Sequence, residues 1–293
     1  MIRILGAYIG VILLWATTPL AIKWSAESLG VLWAATSRMI IGVLCMILLS
    51  FFLHKPLRLS RTAFLTYGAV ALQIYGAMSV VYWSSQFIPS GWLSVISGLT
   101  PLVTALIAAI WLNERSLTLG KMLSYLLGII GLSLMYDSAE QVSVQAVWGV
   151  IGVLISVGLQ AMSAVGIKRI NAKLSAYSQV TGGLLVALPL YLITCSSLDT
   201  PIPLHFSLVS FLAVLYLGII ATPAGFILYY YLLSQHSATQ VSLITLVCPV
   251  IALWLGHHIN EETITLKIFG GTALILFALI LHNFFDKLIE KYS

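Results

Sequence analysis

The chain has 293 residues, of which 60% are hydrophobic and only 8% charged, and its mean hydropathy is +1.04. Soluble domains carry roughly a quarter charged residues, so a water-soluble globule is excluded. The formal net charge of +5 comes from basic residues scattered over short loops, which make no phosphate-tracking patch, so the expected partner is the lipid bilayer and not nucleic acid.

Ten apolar runs follow one another along the chain, near residues 4–22, 30–53, 63–85, 90–112, 122–136, 147–167, 177–195, 208–233, 239–258 and 268–285. Most approach the roughly 20 residues needed to cross the hydrocarbon, and none alternates apolar and polar residues as a membrane barrel would, so each is predicted to be a helix. Between Thr62 and Asn113, and again between Thr200 and Asn260, there is no Asp, Glu, Lys or Arg at all. Cys45, Cys195 and Cys248 lie inside apolar runs and read as lipid or core filler, which excludes a disulfide scaffold.

Ten spans with a cytoplasmic N-terminus put eleven of the 14 basic residues on the inner side, among them Arg3, Arg58, Arg61, Lys168, Arg169 and Lys173. The excess of inside basics predicts both termini in the cytoplasm of a multi-pass protein of the cell (inner) membrane. The connections leave no room for a soluble domain, so function must lie in the helix bundle.

The chain also repeats itself. Tyr82, Ser94, Ile96, Pro101 and Glu114 align with Tyr230, Ser242, Ile244, Pro249 and Glu262, dividing the chain into two five-span halves, residues 1–140 and 141–293. Five is odd, so the halves insert in opposite directions. The predicted fold is all-α and integral to the membrane: ten transmembrane helices as two inverted five-helix repeats around a central cavity, with the substrate at the midplane, as in secondary carriers.

The run Trp15-Ala-Thr-Thr-Pro-Leu-Ala-Ile-Lys23, Arg38 in span two, Ile88-Pro-Ser-Gly, Leu99-Thr-Pro-Leu102 and Leu112-Asn-Glu-Arg115 occur in that order. Ser237-Ala, Cys248-Pro-Val250 and Asn260-Glu-Glu262 repeat the later elements. Over almost its whole length the chain thereby resembles the EamA branch of the drug/metabolite transporter superfamily. The resemblance implies alternating access around a central cavity and, commonly, export of amino acids or other small metabolites; import of an organic cation or metabolite by the same fold is the alternative.

Candidate substrate-binding residues come from polar groups at mid-depth. Ser94 and Ser97 share one face of span four, and Ser242 and Thr245 repeat them in span nine. Pro101 and Pro249, lacking an N–H, are expected to free the carbonyls of Ser97 and Thr245, and Pro19 that of Trp15, making these prolines candidate hinges. The same small residues also suit close helix packing. Gln73 and Gln160, with Ser163 one turn on and Tyr75 as a further candidate, either face the cavity or bridge helices. Arg38 is the one charge well inside a span. It serves as a gate, receives a substrate carboxylate or pairs with Glu27.

Other residues are given structural roles. Tyr82, Trp83, Trp92 and Tyr229 to Tyr231 are expected to be interface anchors. Lys23 and Lys168 are placed at helix C-termini, and Glu114 and Glu262 as caps of the helices that follow them. Adjacent His257 and His258 point apart on a helix, so no metal site is expected, nor any cofactor. An intramembrane enzyme, the competing class, needs a nucleophile with a base or paired acids at membrane depth, and no catalytic residue is assigned. The predicted partner is a small neutral or zwitterionic solute; monomer and homodimer both stay open.

Overall fold

The computed structural model describes residues 2–53, 57–112, 119–137, 145–200, 203 and 205–292. Among them the helices form ten consecutive segments: α1 (Ile2–Leu29), α2 (Val31–Leu53), α3 (Arg61–Ser84), α4 (Ser90–Trp111), α5 (Leu119–Asp137), α6 (Ala146–Ile170), α7 (Ala176–Ser197), α8 (Leu208–Gln235), α9 (238–260) and α10 (Leu266–Tyr292). Seven of these, α1 to α4 and α6 to α8, are long and apolar enough to cross a membrane, and shorter apolar stretches lie at Met122–Gly131 and Leu266–Ala278. The described residues contain no strand. The expected division at residue 140 and the expected cap Glu114 lie outside the described residues.

Local chemistry sets the starts and bends. Ser60, Ser175 and Ser207 each accept a backbone N–H from the first turn of α3, α7 and α8, satisfying a donor that the helix itself leaves open. Two helices contain a six-residue π-helical stretch, Leu72–Ala77 in α3 and Tyr216–Ala221 in α8. The fourth and ninth segments also match in being interrupted. In α4 the chain tightens at Gly98 and Leu99 before Pro101, and in α9 a 3₁₀ stretch, Leu243–Leu246, precedes Pro249. Each proline thus sits in the first turn of a new helix, where no N–H is required. This corrects the expected release of the Ser97 carbonyl, which accepts the Thr100 hydroxyl at 2.6 Å.

The bundle is lined with small and polar side chains and coated with large apolar ones. Ala34, Ser156, Ser210 and Thr222 are fully buried, whereas Leu48, Phe51, Ile110, Ile129 and Ile193 are exposed. With lipid as solvent no hydrophobic gain comes from hiding leucine, and small residues let helices approach. α5 and α10 pack on each other at the flank; α1 packs against α8 and α9, α4 against α9, α3 against α6 and α7, and α2 against α7 and α8.

Glu262 follows α9 and was expected to cap the next helix. Instead its carboxylate reaches back to the start of α4: Oε1 accepts from Ser90 N at 2.8 Å and from Ser90 Oγ at 2.7 Å, and Oε2 from Gly91 N at 3.0 Å. Asn260 Nδ2 donates to the same carboxylate at 3.0 Å, while Asn260 Oδ1 accepts from Trp24 Nε1 at 3.1 Å, tying in α1. Gly256 leaves the room, since a Cβ there would collide with Glu262 Oε2. Lys23 is not terminal either, because α1 continues to Leu29.

Hydrogen bonds to a charged acceptor contribute about 1.5–3 kcal/mol. Glu262→Gln should therefore lower the thermal midpoint of the purified protein by several degrees, and Gly256→Val should do the same by displacing the carboxylate. An unchanged midpoint in both variants would show that this junction does not hold α4 to α9.

Candidate functional site

The site is assembled where α1, α2, α3, α4, α6, α8 and α9 meet. There a cavity of about 70 Å³ lies between Trp15, Thr18, Pro19, Ile22, Arg38, Met78, Val81, Leu93, Ser94, Ser97, Gln160, Phe226, Thr245 and Cys248. Seven of the residues singled out from sequence are brought together in this wall: Trp15, Pro19, Arg38, Ser94, Ser97, Gln160 and Thr245.

Arg38 is 2% exposed. Its Nε donates to Thr222 Oγ1 at 2.7 Å and its Nη1 lies 3.9 Å from Met78 Sδ. A guanidinium has five N–H donors, so most of its capacity points elsewhere. Among the described residues no carboxylate pairs with it; Glu27 is exposed and is not a partner. Close contact of α2 with α8 places the bond. A Cβ on Gly218 would lie 2.7 Å from Ile41 Cβ and 3.2 Å from Arg38 O, so only glycine lets the helices meet with Thr222 under the guanidinium.

Of the four hydroxyls in the wall, that of Ser94 is uncommitted among the described residues and the other three face a different constraint. Ser97 Oγ donates to Leu93 O at 2.7 Å, Thr245 Oγ1 to Ser242 O at 2.7 Å and Thr18 Oγ1 to Leu14 O at 2.6 Å. With their protons committed to the helix backbone, these oxygens can only accept from anything in the cavity. Gln160 is similar, its Nε2 donating to Ser156 Oγ at 3.2 Å while Ser156 Oγ donates to Ala77 O at 3.0 Å. The amide oxygen of Gln160 is left as a further acceptor.

The remaining surface is apolar and aromatic. The Trp15 ring lies 4.9 Å from Tyr229 and 6.4 Å from Phe226, the latter edge-on, so α8 fixes the indole against the cavity.

The other singled-out residues lie outside this wall. Gln73 bridges α3 and α8, accepting from Tyr230 OH at 2.8 Å. Tyr75 bridges α3 and α7 through Thr194 Oγ1 at 2.7 Å. Ser163 is fully buried, and its hydroxyl has no hydrogen-bond partner among the described residues. Ser242 donates to Thr239 O at 2.7 Å, and Pro101 and Pro249 act on the backbone alone.

Several interface anchors expected from sequence are core residues instead. Tyr82, Trp92, Tyr229 and Tyr230 are each no more than 5% exposed, whereas Trp83, at 40%, does face outwards. Cys248 corrects another expectation by lining the cavity. Sequence reasoning missed Thr18, Met78, Leu93 and Phe226; Thr18, one residue before Pro19, carried a signal, because a hydroxyl beside a mid-span proline has a backbone partner ready.

The EamA-like transporter family matches residues 2–137 and 147–284. An uncharacterized transporter of Bacillus subtilis (strain 168), YoaV, is 24% identical over 97% of this chain and 98% of its own length. A second uncharacterized transporter, from the trpA 3' region of Buchnera aphidicola subsp. Schlechtendalia chinensis, is 24% identical over 96% of this chain and 95% of its own. A crystal structure with 19% identity superposes with a TM-score of 0.70 over 96% of this chain and 98% of its own, which shows a shared fold.

The lining can be tested chemically. With Cys45, Cys195 and Cys248 replaced, Ser97→Cys and Thr245→Cys should react with small hydrophilic thiol reagents, whereas Ser242→Cys should react far more slowly. Inertness of the first two from both sides of the membrane would show that their face is packing only.

Proposed function

The chain belongs to the EamA-like transporter family and is a multi-pass membrane transporter of the drug/metabolite type; from that premise we propose that it moves a small zwitterionic metabolite, an amino acid or a close analogue, by alternating access. The observation that carries this reading is the pairing of opposites in the central wall. A buried, mostly unpaired guanidinium, Arg38, calls for an anion. The oxygens of Thr18, Ser97, Gln160 and Thr245 can only accept and so call for an N–H donor such as an ammonium. A carboxylate with a nearby ammonium answers both, and Trp15, Ile22, Leu93 and Phe226 offer an apolar surface to its side chain. A free dication fits poorly beside Arg38. A charge buried in a membrane protein without its counter-ion is costly, and a site that supplies the counter-ion only with cargo turns that cost into selectivity.

The enzyme alternative finds no support in the wall, whose only ionisable side chains among the described residues are Arg38 and Cys248, with none of them a base beside the thiol. We assign export as the direction, on the motif resemblance. The proposed frame is two five-helix halves, residues 1–140 and 141–293, inserted in opposite directions in the cell membrane with both termini cytoplasmic. Support comes from the two separate family matches, from the π-helical stretches in the third and eighth segments, and from the interruptions before Pro101 and Pro249. The halves rock about the midplane, with Pro19, Pro101 and Pro249 as hinges.

Three measurements test this. Counterflow of labelled neutral amino acids into proteoliposomes should be saturable, and Arg38→Gln should raise KM by about 10- to 100-fold, the value of a hydrogen-bonded charge. If Arg38→Gln lowers the maximal rate and leaves KM unchanged, the residue is a gate and the carboxylate assignment fails. Because no Asp, Glu or His among the described residues lines the cavity, a pH gradient alone should not drive uphill accumulation. A reporter fused to the C-terminus should be cytoplasmic; an external one would overturn the orientation.

A further inference from the structure

A second cavity, of about 330 Å³, lies at the other end of the bundle from Glu262, between α3, the end of α6, residues 171–174, the start of α7 and the end of α8. This is the basic end proposed above to face the cytoplasm. Lys168, in the last turn of α6, and Lys173, in the connection that follows, both line it. Asn171 and Lys173 each adopt left-handed backbone at φ 48, folding the connection so that both lysines line one space. Neither lysine has a carboxylate partner among the described residues.

Gln179 lines the same cavity and is 6% exposed. Its Nε2 donates to Leu174 O at 3.0 Å, but its Oε1 is buried without a hydrogen-bond partner. A buried amide oxygen left unmet is destabilising, and such groups are rare in folded proteins. In this conformation the oxygen has almost no surface open to the cavity, so a donor reaches it when the side chain turns away from Leu174 O.

The wall therefore asks for an anion and, beside it, an N–H or O–H donor. We propose that this cavity is a second solute site, accepting a small carboxylate that carries an adjacent ammonium or hydroxyl; the match to the cargo class rests on the reading given above for the central cavity. The two sites are one helical turn apart on α8. Phe226 lines the central cavity and Tyr230 the basic one, with their rings stacked at 6.0 Å and 17°. The bond from Tyr230 OH to Gln73 Oε1 closes α8 onto α3 between them. The basic cavity gathers solute at the mouth, and release of Tyr230 from Gln73 passes it to Arg38.

Ser234, exposed at the rim on the end of α8, provides a reporter. In protein with the three native cysteines replaced, Ser234→Cys is titrated with an anionic and a cationic methanethiosulfonate of similar size. Each rate is divided by that of the same reagent with a free small thiol, because a thiolate by itself favours the cation, and the corrected ratio should favour the anionic reagent about tenfold through focusing of the local field. Lys168→Gln with Lys173→Gln should bring the ratio towards one, and Lys168→Arg with Lys173→Arg should preserve it. Millimolar L-serine, used as the probe in phosphatidylcholine vesicles, should protect the thiol, and Gln179→Met should abolish that protection without changing the reagent ratio. A ratio near one with both lysines present overturns the site. Protection by phosphatidylglycerol with none by L-serine assigns the anion to a lipid headgroup and overturns it equally. Protection without amino-acid counterflow keeps this site and removes the transport reading, whereas counterflow without protection keeps that reading and removes this site.

Discussion

Hydrocarbon offers no hydrogen bonds, so each polar group within the bilayer must be answered by another group of the protein. That requirement shapes the helices and the chemistry of the cavity together. Serine and threonine hydroxyls of α1, α4, α7 and α9 turn back onto the carbonyl one turn earlier, as Thr18, Ser97, Thr181 and Thr245 do. The bond satisfies the proton and leaves the oxygen with spare lone pairs. The committed hydroxyls of a wall that is stable in lipid are therefore acceptors, and their taste for ammonium follows from the rule that lets the helices exist there.

The rule has exceptions of two kinds. Arg38 opens on one cavity with unmet capacity and Gln179 stands in the wall of another, whereas the hydroxyls of Ser79, Tyr82, Thr104 and Ser163 and the Nε2 of His236 are buried without a partner among the described residues, away from both. By contrast, Gln73, Tyr75 and Tyr191 are consumed in bonds that join α3 to α8 and α7. The two groups of polar residues are chemically alike and differ only in whether a neighbouring helix answers them. Unmet polarity at a cavity wall, more than polarity itself, marks a binding candidate.

This explains how far the sequence could be read. Apolar runs and charge gaps are long-range averages, insensitive to packing, so the order of helical segments was legible, as was Arg38, alone among apolar neighbours. The serine and threonine face of α4 and α9 could be read too, because hydroxyls at three- and four-residue spacing must share a side. What could not be read was partner choice. Whether Gln160 or Gln73 faces the cavity depends on the rotation of α6 and α3, and α3 contains a π-helical stretch that no periodicity announces. Tyr229 and Tyr230 looked like a surface belt because their depth was visible and their direction was not. Glu262 was recognisably a cap, but its helix lies far away in the chain, beyond the reach of any local pattern.

The π-helical stretches themselves bear on how such a chain can change. A π turn holds one residue more than an α turn, so Leu72–Ala77 is in effect a single-residue insertion that the helix has absorbed without breaking. Removing one residue there would restore regular winding with little rotation of what lies beyond, because six residues wound as a π stretch turn the chain about as far as five in an α-helix. Met78, Val81 and Tyr82 would then keep nearly their present directions, and the same holds in the eighth helix beyond Tyr216–Ala221. A deletion in the α-helical turns on either side would instead swing the rest of the helix by about 100°. The two π stretches are thus the places where these helices tolerate a change of length without turning their inner faces away from the cavity.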